Sequence, residues 1–134
     1  MSGSPLRILI CEDDERLAAL VAETLDSDGR FVVVARATDG HEAVSLTQQH
    51  APDVVLMDIG MPGRDGIDAT RAIHEHDAAQ HVVIYTGSGE YEDVARADAA
   101  GAAGFLHKEA LTSPDLPGAL LVLHENYLRG GVDP

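Results

Sequence analysis

Carboxylates at the ends of apolar segments are the side chains of this sequence best placed to do chemistry. Asp58 lies near the end of the apolar run DVVLMDI and leads into the loop GMPGRDG, and Glu12 and Asp13 follow the earlier run LRILIC. A strand end that packs into a core normally avoids unpaired charge, so this placement favours a functional role. Three carboxylates that come together repel one another unless a cation lies among them, and hard oxygen ligands of this kind suit Mg²⁺.

Two later apolar segments end in a hydroxyl and an amine, and the combination indicates phosphoryl transfer. Thr86 follows VVIY, and Lys108 follows GFLH. A carboxylate such as that of Asp58 can attack phosphorus and form an aspartyl phosphate. Lys108 would supply a point cation to the phosphoryl oxygens, and Thr86 could donate a hydrogen bond to one of them. Taken singly, Asp58 could cap its own turn and the other two could be ordinary surface residues, but their order along the chain favours a site.

The elements that must position these residues are five strands alternating with five helices. Apolar runs occupy residues 6–11, 31–35, 54–59, 82–85 and 104–106. Several are near-continuous, as in strands of a parallel sheet that is covered on both faces. The first helix follows the spacing of Leu17, Leu20, Val21 and Leu25, and the last, from near Pro117, is predicted to bury Leu120, Leu121, Leu123 and Leu128 at least in part. The pattern predicts a doubly wound α/β domain, in which ligands bind outside the carboxyl ends of the strands.

Composition excludes several classes of function. The chain has 134 residues, 45% of them hydrophobic, and a net charge of −14, so we expect one packed domain that binds neither nucleic acid nor a membrane surface by itself. Its single cysteine permits no intrachain disulfide or cysteine metal cluster, and its seven scattered histidines indicate no transition-metal site. No apolar stretch approaches the roughly 20 residues of a membrane helix and no signal segment is present, which favours the cytoplasm.

Four motifs in this order resemble the receiver domains of bacterial two-component response regulators: ILICEDD, DVVLMDIGMPGRDG, VVIYTG and GAAGFLHKE. The resemblance covers about residues 6–128. It implies a flavodoxin-like (CheY-like) sheet of five parallel strands in the order 2-1-3-4-5, with a receiver domain at 6–129 between tails at 1–5 and 130–134. Glu109 stands where many receivers have proline, and FLHKEA is similar to the NarL/LuxR-type subclass, whose members carry a C-terminal helix-turn-helix DNA-binding domain.

The resemblance also implies a role for each site residue. Asp58 is the phosphoacceptor and takes its phosphoryl group from a histidine kinase phosphohistidine. Thr86 is the switch hydroxyl, Phe105 is the aromatic that changes rotamer with it, and Lys108 is the cation that pairs with the phosphoryl group. Phosphorylation is expected to reshape the face formed by the fourth helix, the fifth strand and the fifth helix. That face would dock a partner or a second copy of the chain.

The metal site implied by the resemblance carries one ambiguity of register. Three acids run together from Glu12 to Asp14, whereas the family uses two. If Leu17 is the first inward residue of the helix, Glu12 and Asp13 lie in the pocket and Asp14 begins the helix, where its charge suits the helix dipole. Asp13 would then ligate Mg²⁺ directly, Glu12 would act through water, and the backbone carbonyl of Gly60 would complete the protein's ligands. The alternative shifts the pair by one residue.

Two other kinds of protein could use similar residues. Phosphatases of the haloacid dehalogenase type need a second aspartate two residues after the nucleophile, and Gly60 occupies that position. We therefore expect that the chain is not an enzyme and catalyses only its own phosphorylation and dephosphorylation. A pseudo-receiver, which binds partners without taking phosphate, remains an alternative. The sequence leaves open the cognate kinase, the target, the phosphoryl lifetime and whether the domain belongs to a longer regulator.

Overall fold

Five parallel strands form one sheet in the computed structural model, which describes residues 4–87 and 91–130. In chain order they are β1 (Leu6–Cys11), β2 (Phe31–Ala37), β3 (Val54–Asp58), β4 (His81–Thr86) and β5 (Phe105–His107). Their order in the sheet is β2-β1-β3-β4-β5, with every neighbouring pair parallel. The predicted fold class and strand order are confirmed, and the strand bounds differ from the prediction by at most two residues.

Helices connect the strands and cover both faces of the sheet. They are α1 (Glu15–Asp26), α2 (Gly40–His50), α3 (Gly66–His76), α4 (Tyr91–Ala100) and α5 (Leu116–Leu128), with a short 3₁₀ helix at Lys108–Thr112 after β5. The first three begin at aspartates whose side chains accept backbone amide hydrogen bonds, at Asp14, Asp39 and Asp65. Asp14 therefore begins α1, as predicted. None of the described helices is both long and apolar enough to cross a membrane.

The near-continuous apolar strands are explained by two cores, one on each face of the sheet. In β3, Val55 and Met57 belong to one core, while Val54 and Leu56 belong to the other. Successive side chains of a strand point to opposite faces, so a strand that is covered twice must be apolar at every position. Burial of all five residues of β3 brings Asp58, its last residue, to the very edge of these cores.

Two leucines of the helical patterns do not lie in the core. Leu20 is 46% exposed because α1 buries Ala18, Val21, Ala22 and Leu25, a stripe that leaves Leu20 at its side. Leu128 is 70% exposed, so its predicted burial is wrong. The last turn of α5 is held instead by Tyr127, whose hydroxyl donates to the Ala79 carbonyl at 2.7 Å, and the next residue consequently points away from the sheet.

Candidate functional site

The carboxyl ends of β1, β3 and β4 meet at one edge of the sheet and bring the predicted acids together. Strand register places Asp58 beside Tyr85, the residue before Thr86. Glu12, Asp13 and Asp58 each offer a carboxylate oxygen, and these atoms lie within 4.8 Å of one another. Glu12 and Asp58 are only 1% and 7% exposed, whereas Asp13 is exposed. The three acids thus form a cluster that is open to solvent on the side of Asp13.

The Asp58 carboxylate is held in place but is not neutralised. Its Oδ1 accepts a hydrogen bond from the Gly60 amide at 3.1 Å. Burial raises the pKa of Asp58, while the Gly60 amide and the charge of Lys108 oppose that rise and the charge of Asp13 adds to it. A side-chain hydrogen bond with Glu12 also opposes the rise, but the net direction is upward, so ionising this carboxylate costs energy. A cation beside it would relieve that cost.

Glu12 is fixed more firmly than its neighbours. Its Oε1 accepts from the Tyr85 hydroxyl at 2.7 Å, and its Oε2 accepts from the Asp14 amide at 2.9 Å. Burial raises the pKa of Glu12, and the two hydrogen bonds only partly oppose that rise. The sequence reasoning missed Tyr85, although a phenol within an otherwise apolar strand signals a buried hydroxyl that needs a partner.

A glycine brings the start of α3 against the backbone of the central acid. A Cβ built on Gly66 would lie 2.1 Å from the Asp58 carbonyl oxygen and 2.9 Å from the Cα of Ile59. The Gly66 amide also donates to the Ile59 carbonyl at 2.9 Å. Asp65 caps the helix by accepting from the Asp68 amide at 2.8 Å. The loop after β3 is therefore closed tightly beneath the acidic cluster, and only glycine fits at its end.

The hydroxyl, the aromatic ring and the amine predicted from the later strands lie on the β4–β5 side of the site. Thr86 and Phe105 are both partly buried and line a cavity of about 100 Å³, together with Ile59 and Val94. Lys108 follows β5 directly, and its charge lowers the pKa values of Glu12 and Asp58. The predicted residues thus gather at the carboxyl ends of neighbouring strands, with Asp58 between the acids that follow β1 and the residues of β4 and β5.

The donor chemistry of the cluster fits a hard divalent cation. Three carboxylates within 4.8 Å supply oxygen ligands alone. Mg²⁺ prefers such ligands and keeps several of its own waters, so the open side at Asp13 suits it. The structure describes a hydrogen bond for the Gly60 amide, and the role of its carbonyl as a ligand stays a prediction.

Comparisons with known proteins extend over most of the chain. Residues 8–119 match the family model described as response regulator receiver domain. The chemotaxis protein CheY of Halobacterium salinarum is 39% identical over 102 residues, which cover 76% of this chain and 83% of CheY. The transcriptional regulatory protein PdtaR of Mycobacterium tuberculosis is 40% identical over 119 residues, 89% of this chain but only 57% of PdtaR. The chain therefore spans little more than half the length of that relative.

Solved structures show the same similarity. The signal receiver domain of the response regulator NarL from Mycobacterium tuberculosis gives a TM-score of 0.85 at 30% identity, covering 92% of this chain and 98% of that one. A LuxR-family two-component response regulator from Aurantimonas sp. SI85-9A1 gives a TM-score of 0.84 at 31% identity, covering 92% of this chain and 87% of that one. These two proteins are a NarL regulator and a LuxR-family regulator, and the segment FLHKEA of this chain is similar to the NarL/LuxR-type subclass.

Proposed function

Because the chain belongs to the response regulator receiver domain family, as its motifs predicted, we propose that it is a phosphorylation-dependent switch whose phosphoacceptor is Asp58. The donor would be the phosphohistidine of a histidine kinase. One observation carries the proposal: the carboxylates of Glu12, Asp13 and Asp58 lie within 4.8 Å of one another at the carboxyl edge of the sheet. The charge of Lys108 acts on the same cluster.

In the proposed transfer the Asp58 carboxylate attacks phosphorus. The new O–P bond forms as the P–N bond of the phosphohistidine breaks, and the electron pair of that bond stays on the imidazole nitrogen. The Gly60 amide, which donates to Oδ1, limits rotation of the attacking carboxylate. Lys108 offsets negative charge on the phosphoryl oxygens.

Magnesium is the cofactor that this donor set would hold. Asp13 and Asp58 would ligate it directly, Glu12 through water, and Gly60 through its carbonyl oxygen. When bound, the ion neutralises charge on the phosphoryl group as it transfers. The raised pKa values of Glu12 and Asp58 support this assignment, since burial makes the negative charge of both acids costly and a bound cation would offset that cost.

The proposed switch lies between Thr86 and Phe105. The Thr86 hydroxyl would move to the phosphoryl group, and the Phe105 ring would turn inward. The cavity of about 100 Å³ that both side chains line supports this step, because it gives the ring room to change rotamer. Phosphorylation would then shift the population between two states of the face formed by α4, β5 and α5. That face is our proposed surface for a partner or a second copy of the chain.

The output of the switch is proposed from its relatives. PdtaR is a transcriptional regulatory protein, and the Aurantimonas structure is of a LuxR-family regulator. We infer that this domain serves transcriptional control in the cytoplasm. With a net charge of −14 it would leave contact with DNA to another domain.

Acetyl phosphate labelling tests the proposal. The protein is incubated with Mg²⁺ and acetyl phosphate, and its intact mass is measured. We expect the mass of one added phosphoryl group, its loss in Asp58→Asn, and its retention in Asp77→Asn, which makes the same chemical change at an exposed acid after α3. An unlabelled wild-type protein would support the phosphorylation-independent pseudo-receiver, and a label that survives Asp58→Asn would place the phosphoacceptor elsewhere.

A further inference from the structure

A buried tyrosine contacts the acidic cluster from within the sheet. The Tyr85 hydroxyl donates to Glu12 Oε1 at 2.7 Å and lies 3.3 Å from the Cys11 carbonyl oxygen. Both Tyr85 and Glu12 are only 1% exposed. The rest of β4 ahead of Thr86 is apolar apart from His81 at its start. The Tyr85 phenol therefore donates a hydrogen bond to Glu12, an acid of the site, in a region that is shielded from water.

This bond leaves Glu12 with little freedom to rotate. One carboxylate oxygen is held by Tyr85 and the other by the Asp14 amide at 2.9 Å. Each carboxylate oxygen can accept about two hydrogen bonds, so acceptor capacity remains beyond these two donors, on the side where Glu12 also meets Asp58. Glu12 can thus accept from a water on a bound ion, in an orientation set before the ion arrives.

We propose that Tyr85 is a positioning residue of the metal site, which holds Glu12 in the orientation that receives a hydrated divalent cation. The proposal rests on the proposed function, because that function names the cation. Tyr85 would contact neither the ion nor the phosphoryl group and would act through Glu12 alone. Without its hydroxyl, Oε1 would lose its donor in a place that solvent does not reach, and Glu12 would turn from its binding orientation.

The position of Tyr85 adds a second consequence. Thr86, the proposed switch residue, follows it directly, and the two side chains point to opposite faces of β4. Tyr85 packs in the core that contains Leu111 and Leu116, whereas Thr86 lines the cavity beside Phe105. One dipeptide therefore joins the metal side of the site to the switch side. Binding of the ion should therefore change the hydrogen bond of Tyr85, at the end of β4, before any phosphoryl group is bound.

Tyr85→Phe tests the role, since it removes one oxygen and keeps the ring in the core. Magnesium affinity is measured by calorimetry, and the Mg²⁺ dependence of acetyl phosphate labelling is measured by mass. We expect the Mg²⁺ dissociation constant to rise by about 10-fold, the size typical for loss of an outer-shell partner, with labelling restored when Mg²⁺ is raised to saturation. Tyr127→Phe is the matched control, because it removes a tyrosine hydroxyl bonded to the Ala79 carbonyl, away from the cluster.

A double-mutant cycle separates positioning from a merely structural role. If Tyr85 acts through Glu12, then Tyr85→Phe should not weaken Mg²⁺ binding further in a Glu12→Gln background. An equal loss in both backgrounds would overturn the proposal, as would an unchanged dissociation constant in Tyr85→Phe alone. Calorimetry reports on this point even if the wild-type protein takes no phosphoryl group, so failure of the proposed function would be seen separately.

A measurement on the wild-type protein covers the case in which Tyr85→Phe does not fold. The ¹³Cζ resonance of a tyrosine reports on the hydrogen bond of its hydroxyl. On titration with Mg²⁺ we expect the Tyr85 resonance to shift along a saturable curve and that of Tyr127 to stay in place. A Tyr85 resonance that does not move at saturating Mg²⁺ would refute the coupling.

Discussion

Acidification should destabilise this domain through a histidine pair at the edge of the sheet opposite the acidic cluster. His81, the first residue of β4, is 1% exposed. Its Nε2 lies 2.6 Å from the Ala103 carbonyl oxygen, and its Nδ1 lies 2.9 Å from Nδ1 of His124. A carbonyl oxygen only accepts, so Nε2 of His81 carries the proton and its Nδ1 accepts from Nδ1–H of His124. His81 is therefore neutral in the folded state when its Nδ1 accepts this bond, and its tautomer is assigned from these contacts.

The size of this loss of stability on acidification follows from the environment of His81. Burial, with a smaller contribution from His124, lowers its pKa to about 4 from 6.5, and the bond to Ala103 opposes the shift. Burial also lowers the pKa of His124, against the charges of Asp53 and Glu125. A group with a depressed pKa in the folded state stabilises fully above its unfolded pKa and loses that stability as the pH falls. For His81 the loss by about pH 5 is about 2 kcal/mol.

Urea unfolding at about pH 7.5 and about pH 5 measures this loss as a difference between variants. The wild-type protein should lose about 2 kcal/mol more than His81→Gln between these values, because titration of the acids is common to both and cancels. His76→Gln, which removes an exposed histidine from the end of α3, should behave as wild type. Equal pH dependence in the wild type and His81→Gln would refute the reasoning.

Two further predictions concern the loop below the site and its register. Gly66→Ala would force a Cβ against the Asp58 carbonyl, so it should lower the free energy of unfolding by about 1–3 kcal/mol and slow labelling. Gly118→Ala, with nothing within 4 Å of the new atom, should instead stabilise the domain by up to about 1 kcal/mol. Denaturant unfolding measures the stabilities, and mass measures the labelling. Asp14→Ala should lose about 1 kcal/mol of stability with its helix cap, yet keep its Mg²⁺-dependent labelling. Asp13→Ala should lose that labelling. The reverse result would favour the register of the metal site that is shifted by one residue.

The sequence was sufficient where function depends on strand ends. Parallel strands bring their carboxyl ends to one edge, so acids after β1 and β3 had to lie near each other once a parallel sheet was predicted. Topology predicted that these acids would be neighbours, and the structure groups their carboxylate oxygens within 4.8 Å. The capping role of Asp14 was predicted in the same way, because it depends only on its position before the first inward residue of α1.

Contacts that depend on side-chain reach across the fold were not predicted. The bond from Tyr85 to Glu12 joins residues 73 apart, and the pair of His81 and His124 joins residues 43 apart. Both require the register of one element on another, which periodicity does not give. The exposed Leu128 has the same origin, since the helical pattern does not tell that Tyr127 holds the last turn of α5.

The two clusters of buried ionisable groups differ in a way that separates structure from function. The histidines hydrogen-bond each other, and no buried side-chain oxygen or nitrogen in the described residues 4–87 and 91–130 lacks a hydrogen bond. Glu12 and Asp58 are also hydrogen-bonded, yet the pKa of each stays raised, because their donors do not cancel the cost of burying the charge, to which the like charges of the cluster add. Packing alone would be better served by apolar residues at these strand ends. A sequence that keeps three carboxylates there retains an electrostatic cost that a divalent cation and a phosphoryl group together could offset, and this is the physical reason for placing the proposed function at that edge.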